Sequence, residues 1–296
     1  MSHDRRSDTP AGCAGLSRRA FLTGAGVAAL SPWAVATGYA QEATLSRPVV
    51  PGASQLPLKT TGLEHLGTVV PDVAAAGRFY GRLFNPLLYK EKAPPLRYYV
   101  TLGRGYLALG SRASASHAFF DHFCALVEDY DAPAMAQQLQ AQNLPAGRFG
   151  IIPDPDGLGL QLLATPGGLA KSTEPAGQIV EEGALVNPIG LDHVVLHVSD
   201  LGRSLDFYRR FFGAEQMHSP RSGQAWFQIA ATRLGLEKAA TGESPRVDRI
   251  GIKVQHFERA KVGRELTKMG ARLGSSSADR LRFTDPIGLS MELLTA

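Results

Sequence analysis

Three landmarks recur in the same order along this chain, and that repetition constrains the fold more than any other feature. Gly62-Leu63-Glu64-His65-Leu66-Gly67-Thr68-Val69-Val70 is echoed in the second half by Gly190-Leu191-Asp192-His193-Val194-Val195-Leu196-His197-Val198. At the same offset, Arg78-Phe79-Tyr80-Gly81-Arg82-Leu83-Phe84 is echoed by Asp206-Phe207-Tyr208-Arg209-Arg210-Phe211-Phe212. At a slightly longer offset, Asp154-Pro155-Asp156-Gly157 returns as Asp285-Pro286-Ile287-Gly288. Landmarks that keep one order and nearly one offset indicate a duplicated domain. The 296 residues suit two domains of roughly 150 each.

Each half is double again. Phe120–Val127 resembles the opening of the first half and sets His122 where that opening has His65. Val247–Val254 does the same in the second half, with Arg249 in the place of His193. Every opening segment alternates and is rich in β-branched residues, as a strand requires. An amphipathic helix is predicted after each, at Val73–Phe84, Ala132–Gln142, Leu201–Phe212 and Phe257–Met269. Short strands bounded by Gly or Pro follow; in the first unit these are Leu87–Lys90, Leu96–Leu102 and Gly105–Leu109. The expected class is α+β, with four β-α-β-β-β modules, the second abbreviated, forming two paired-module domains. Their curved mixed sheets would surround a cleft. The domains expected are 62–165 and 190–296, joined by a linker at 166–189 and preceded by a tether at 41–61 rich in Pro, Gly and Ser.

Hydrophobic residues make up 44% of the chain and charged residues 20%, an ordinary globular balance. The net charge of +4 includes no basic run, which argues against nucleic acid as a partner. Two cysteines exclude a disulfide scaffold and a Cys-rich zinc module. Cys124 lies in the apolar run Phe123–Val127 and reads as a buried, inert thiol. Residues 1–40 read as a cleavable export signal, because Arg18-Arg19 precedes an uncharged stretch, Ala20–Ala40, that ends in small residues. Gly, Thr and Pro32 argue against a membrane anchor, which needs about 20 strongly apolar residues. The paired arginines resemble a twin-arginine signal. That resemblance implies the twin-arginine export machinery as a partner and a periplasmic or extracellular location.

The strand-opening His, the helix with Phe-Tyr and the Asp-Pro-x-Gly turn before a final apolar strand together resemble the vicinal oxygen chelate superfamily. That group includes glyoxalases, extradiol ring-cleaving dioxygenases and bleomycin-binding proteins. The resemblance covers residues 62–165 and 190–296. It implies a cleft metal held by a His on each of two opening strands and by a Glu on the partner's last strand. The implied metal is Fe(II) or Mn(II), with Zn or Ni as further candidates, or none if the site is degenerate. Two His and one carboxylate leave open positions for substrate. Positions matching an extra fourth-strand ligand are Ala108 and Gly235, which cannot ligate.

Carried over by position, the first half offers His65, His122 and Gln161, and the second His193, Arg249 and Glu292. Neither keeps the full His, His, Glu set. Gln161 offers a carbonyl oxygen but no charge. Arg249 is a permanent cation and cannot ligate; it pairs with Glu292 or, as a catalytic residue, clamps an anionic substrate. If modules pair within a domain, the metal set is His65, His122 and Gln161. If halves exchange, His193 replaces His65. The resemblance implies a metal-dependent enzyme, either an extradiol-type dioxygenase acting on a small catechol-like substrate or a glyoxalase-like lyase or isomerase. The alternative is a non-catalytic, bleomycin-resistance-like binder of a small ligand. The protein is expected as a monomer or homodimer.

Plainer roles stand beside these. Phe79-Tyr80 and Phe207-Tyr208 suit helix-to-sheet packing, and Asp156 and Asp285 suit turn capping. His197 shares a strand face with His193 and suits a surface or core role better than a proton shuttle. Tyr98, Tyr99, Tyr106, Trp226 and Phe227 are candidates for an aromatic pocket, although alternation places only some of them inside.

Overall fold

The computed structural model describes residues 54–296 apart from 114, 148–149 and 220–222. The expected export signal and most of the tether lie outside the described residues. The first module runs β1 (Thr60–Val69), α1 (Val73–Leu83), β2 (Leu87–Glu91), β3 (Tyr98–Leu102), β4 (Gly105–Gly110). The second is shorter: β5 (Phe119–Val127), α2 (Ala132–Ala141), β6 (Ile151–Pro153), β7 (Gly159–Ala164). An extra strand, β8 (Thr173–Gln178), follows. The third module is β9 (Pro188–Val198), α3 (Leu201–Phe212), β10 (Met217–Ser219), β11 (Gln224–Ile229), β12 (Thr232–Lys238). The fourth is β13 (Arg246–Val254), α4 (Arg259–Lys268), β14 (Arg272–Ser277), β15 (Arg280–Thr284), β16 (Ser290–Thr295).

These strands form two open eight-stranded mixed sheets, ordered β6-β7-β5-β1-β4-β3-β2-β8 and β10-β11-β12-β9-β13-β16-β15-β14. In each sheet the two opening strands pair antiparallel, β1 with β5 and β9 with β13. Each opening strand also lies parallel to the last strand of its own module. Sheet pairing is therefore within each half, and the exchanged scheme does not apply to the strands. The segment expected as a linker at 166–189 contains β8, which pairs antiparallel with β2 and extends the first sheet.

The helices begin where local chemistry starts them. The side chains of Asp72, Asp131 and Asp200 accept hydrogen bonds from the backbone N–H of Ala75, Ala134 and Arg203, satisfying donors that a helix start leaves open. α4 follows Glu258 and lacks such a side-chain bond. Ala76, Tyr80 and Leu83 of α1, and Leu205, Tyr208 and Phe211 of α3, are buried against the sheets. One continuous apolar cluster runs through both halves.

The helix layer crosses between halves, as β1 also does where the Leu63 N–H donates to Thr232 Oγ1 at 2.9 Å. Tyr80 Oη, on α1, donates to the Asp285 carboxylate in the second half's Asp-Pro-x-Gly turn. Tyr208 Oη, on α3, donates to Asp154 in the first half's turn at 3.0 Å. Asp154 also accepts from the backbone N–H of Asp156 and Leu158, and Asp285 from Ile287 and Leu289. The turn-capping role expected of Asp285 is present. The one expected of Asp156 belongs to Asp154. Asp156 instead bonds Ser199 and Arg203 at the start of α3. Burial pushes both Asp154 and Asp285 above the usual aspartate range.

Candidate metal-binding cleft

A strand alternates its side chains between faces, so an acid and a histidine adjacent in sequence should point apart. Here they do not, because each opening strand carries a β-bulge at that dipeptide. Glu64-His65 together oppose Cys124 in the β1/β5 register, which steps from Leu63↔Ala125 to Leu66↔Phe123. Asp121 is the extra residue between Gly67↔His122 and Thr68↔Phe120. In the second sheet Asp192 and Asp248 are the extra residues at the matching places. A bulge re-aims a side chain, and here it brings acid and ring together. Glu64 Oε2 lies 2.9 Å from His65 Nδ1, Asp121 Oδ2 3.0 Å from His122 Nδ1, and Asp192 Oδ2 2.7 Å from His193 Nδ1. A carboxylate on Nδ1 sets tautomer and ring orientation and leaves Nε2 to face the cleft.

The first sheet gathers His65, His122 and Gln161. His65 Nε2 is 2.9 Å from Gln161 Oε1. The His65 and His122 rings meet edge to face with centroids 5.5 Å apart. All three side chains are buried. Gly67, opposite His122, is what admits that ring: a Cβ there would sit 2.0 Å from its Cε1. Tyr106, paired with His65 across β1 and β4, stacks on the His65 ring at 4.5 Å. Tyr99 meets Tyr106 at 5.7 Å. Tyr99, Tyr106 and Ala108 form a small cluster of their own, with Leu169 packed against it. Of the five aromatics expected near the cleft, Tyr99, Tyr106 and Trp226 take that face. Tyr98 and Phe227 belong to the main core.

Burial favours a neutral His65 ring. Burial lowers the His65 pKa, more than the Glu64 contact raises it. Burial raises Asp121, but His122 and Arg112 outweigh it and hold the carboxylate below its ordinary value. Glu64, His65 and Cys124 also bring ligand-type atoms within 4.8 Å of one another. Burial and the charge of Glu64 push the Cys124 thiol well up, so it stays protonated, and a thiol must ionise to ligate. Glu64 is already engaged with His65 Nδ1 and the Gly168 N–H. The donors that fit a divalent cation are therefore His65, His122 and the Gln161 carbonyl oxygen, with Glu64 and Asp121 behind them.

The second sheet repeats this frame with different contents. His193 lies over Gly251, where a Cβ would come 2.3 Å from its Cε1, and its Nε2 is 3.7 Å from Glu292. It shares a sheet with Arg249 and Glu292 and not with His122 and Gln161, so it leaves the first metal set. Arg249 is committed to three carboxylates: Glu292 at 3.1 Å, Asp248 at 3.0 Å and Glu237 at 2.5 Å. Those bonds occupy the donors a substrate clamp would need. Glu292 is also held by Arg282, and Arg280 Nη1 lies 3.5 Å away. Burial raises the Glu292 pKa, but His193, Arg282 and Arg249 pull it below its ordinary value. Three guanidiniums on one carboxylate leave no role there for a metal cation. His197 Nε2 sits 3.4 Å from both Glu237 and Asp248 inside the same network. Residue-type reasoning missed Glu64, Asp121, Asp192 and Gly67. The signal for the three acids was present as an acid before the His or Arg of every opening strand.

The sequence model of the Glyoxalase/Bleomycin resistance protein/Dioxygenase superfamily matches residues 190–293. No curated protein matches the chain. Among solved structures, the 2,3-dioxygenase LapB from Pseudomonas sp. KL28 superposes with a TM-score of 0.60 at 16% identity, covering 81% of this chain and 93% of that one. The Mn(II)-bound glyoxalase from Novosphingobium aromaticivorans gives 0.59 at 14% identity, over 80% and 83%. A catechol 2,3-dioxygenase gives 0.59 at 15% identity, over 81% and 89%. At such identities the likeness is one of fold: two α+β domains built from β-α-β-β-β modules.

Proposed function

We propose that this chain is a metal-dependent enzyme of the vicinal oxygen chelate superfamily, with one working cleft, in the first sheet. Similarity to a catechol dioxygenase and to a glyoxalase in fold supports this class, and the superfamily match over 190–293 supports the family. The observation that carries the reading is the paired anchoring of His65 and His122. Carboxylates from their own strands hold both Nδ1 atoms, as metal-ligating histidines are usually held. His65 Nε2, His122 Nε2 and Gln161 Oε1 would hold Fe(II) or Mn(II). The ion would supply a Lewis acid and a template for two neighbouring oxygens of a small catechol-like or α-hydroxy-carbonyl substrate. The chain's own residues then orient and enclose. Tyr106 backs the His65 ring, Tyr99 extends the aromatic wall, and the buried site keeps water out. Export by the twin-arginine route is part of the proposal and rests on Arg18-Arg19 and the uncharged stretch behind them.

A second reading has one specific observation in its favour. His65 Nε2 faces the Gln161 side-chain amide at 2.9 Å. With the amide turned so that its N–H donates to Nε2, two of the three ligand groups satisfy each other without an ion, as in a metal-free cleft that binds an apolar ligand. Elemental analysis of the purified protein separates the two. Near one equivalent of iron or manganese, lost in His122→Ala, is the expected result. No metal, with His122→Ala as stable as the parent, would leave the binder.

A further inference from the structure

Four bulge carboxylates stand behind the four opening-strand side chains, and three of them have a permanent cation beside them. Asp121 bonds Arg112 at 2.8 Å. Asp192 bonds Arg233 at 2.5 Å and Lys253 at 3.2 Å. Asp248 bonds Arg246 at 2.8 Å and Arg249 at 3.0 Å. Glu64 differs. It is 1% exposed, and its contacts are His65 Nδ1, the Gly168 N–H and the neighbouring Cys124 thiol. No Lys or Arg pairs with it among the described residues. The positions that supply cations to Asp192 in the second half, Arg233 and Lys253, correspond to Tyr106 and Leu126 here. The Gly167-Gly168 turn closes tightly on the carboxylate: a Cβ on Gly167 would lie 2.0 Å from Glu64 Oε1.

A buried carboxylate without a cation is costly, and buried charges are paired or serve a metal. The cleft beside it has the complementary deficit. Gln161 stands where a carboxylate would neutralise a metal, and it carries no charge.

We propose that Glu64 is the charge-balancing and positioning residue of the first cleft, its carboxylate acting through the His65 ring to offset a divalent cation that Gln161 leaves unneutralised. This rests on the metal reading of that cleft. The negative charge sits one imidazole away from the ion and strengthens His65 Nε2 as a donor. The ion in turn relieves the buried charge. Glu64 does not touch substrate.

The test is Mn(II) titration of metal-free full-length protein, with free ion read by electron paramagnetic resonance, in the parent, Glu64→Gln, Gln161→Glu and the double variant. Loss of an outer carboxylate lowers metal affinity by about 10–100-fold, and that is the expectation for Glu64→Gln. Its metal-free thermal stability should change little, because removal of an unbalanced charge offsets the one acceptor that Gln lacks toward His65 or the Gly168 N–H. Gln161→Glu returns the charge at the other position, so the double variant should recover parent-like affinity. A packing role for Glu64 would not be rescued at a residue on another strand. If Glu64→Gln binds Mn(II) as tightly as the parent while His122→Ala does not bind, the charge assignment is wrong and the cleft reading survives. If the double variant binds no better than Glu64→Gln, the same assignment fails. A parent that binds no divalent ion overturns both.

Discussion

The two sheets share a frame position for position and use it in opposite ways. Tyr99 corresponds to Trp226, Tyr106 to Arg233, His122 to Arg249, and Gln161 to Glu292. In the first sheet the result is an aromatic pocket around two imidazoles. In the second it is an ionic lattice in which Arg249 binds three carboxylates and Glu292 meets three arginines. A single exchange, His122 for Arg249, decides much of this. An imidazole can give a lone pair to a metal. A guanidinium cannot, and becomes the cation itself. The frame of bulges is thus indifferent to which role is played.

The sharpest way to break the comparison is to remove that guanidinium. Arg249→Ala should destabilise the protein by about 3–5 kcal/mol, because it strands buried carboxylates. His122→Ala should cost much less and abolish metal uptake. Urea denaturation of both variants checks the pair, and equal costs would mean that the two clefts are not differently used. Next come the facing glycines. Gly67→Ala and Gly251→Ala each push a Cβ into an imidazole, at about 1–3 kcal/mol for overpacking. Only Gly67→Ala should lower metal content, since only His122 belongs to the proposed metal cleft. The helix layer, where the halves resemble each other, should respond symmetrically. Tyr80→Phe and Tyr208→Phe each remove one bond to a buried Asp that keeps its backbone donors, at about 1–2 kcal/mol, read as matching shifts in Tm.

The smallest effect is a difference in acid response of the metal-free protein. Burial holds His65 below its ordinary value, so the unfolded chain binds that proton more readily. Its contribution is full above the ordinary histidine value of about 6.5 and is lost as pH falls from there through the depressed one. In Asp192, bonds to His193 and Arg233 outweigh burial and hold the carboxyl well below its usual range; Glu292 is lowered too. Their contribution is present above about pH 4 and is lost only below it. Acidification from about pH 7 to about pH 5 should therefore loosen β1 before β9, measurable by amide exchange. The reverse order would contradict the contrast between a His65 held neutral by burial in the first sheet and carboxylates held ionised by cations in the second.

Much of the frame was legible in the residues. The offset repeat marked both halves, and alternation with 3.6-residue periodicity located the helices within a few residues. Within the cleft, His65 (or His193), His122 and Gln161 could be named by carrying the ligand positions of the resembled superfamily onto this chain. Strict alternation hid their supports. It placed Glu64 and Asp121 on the far face, and only a bulge reverses that. Strand β8 was invisible because Thr173–Gln178 contains Pro175 and Gly177, which lower strand propensity; as an edge strand it needs only one partner. The Tyr-to-Asp bonds join residues far apart along the chain, one pair in each direction between the halves, and no local pattern carries such a link.

The sequence by itself determined the duplicated module, the helix starts at Asp72, Asp131 and Asp200, and the residue types available to each cleft. These are matters of local propensity and period, and the chain holds them wherever it sits. Tertiary structure decided which strands share a sheet, and hence that His193 belongs with Glu292 and not with Gln161. It also decided where each carboxylate's charge is balanced. Pairing and charge balance depend on which groups meet across the fold, and at Glu64 that meeting leaves a buried charge beside a cleft suited to a cation.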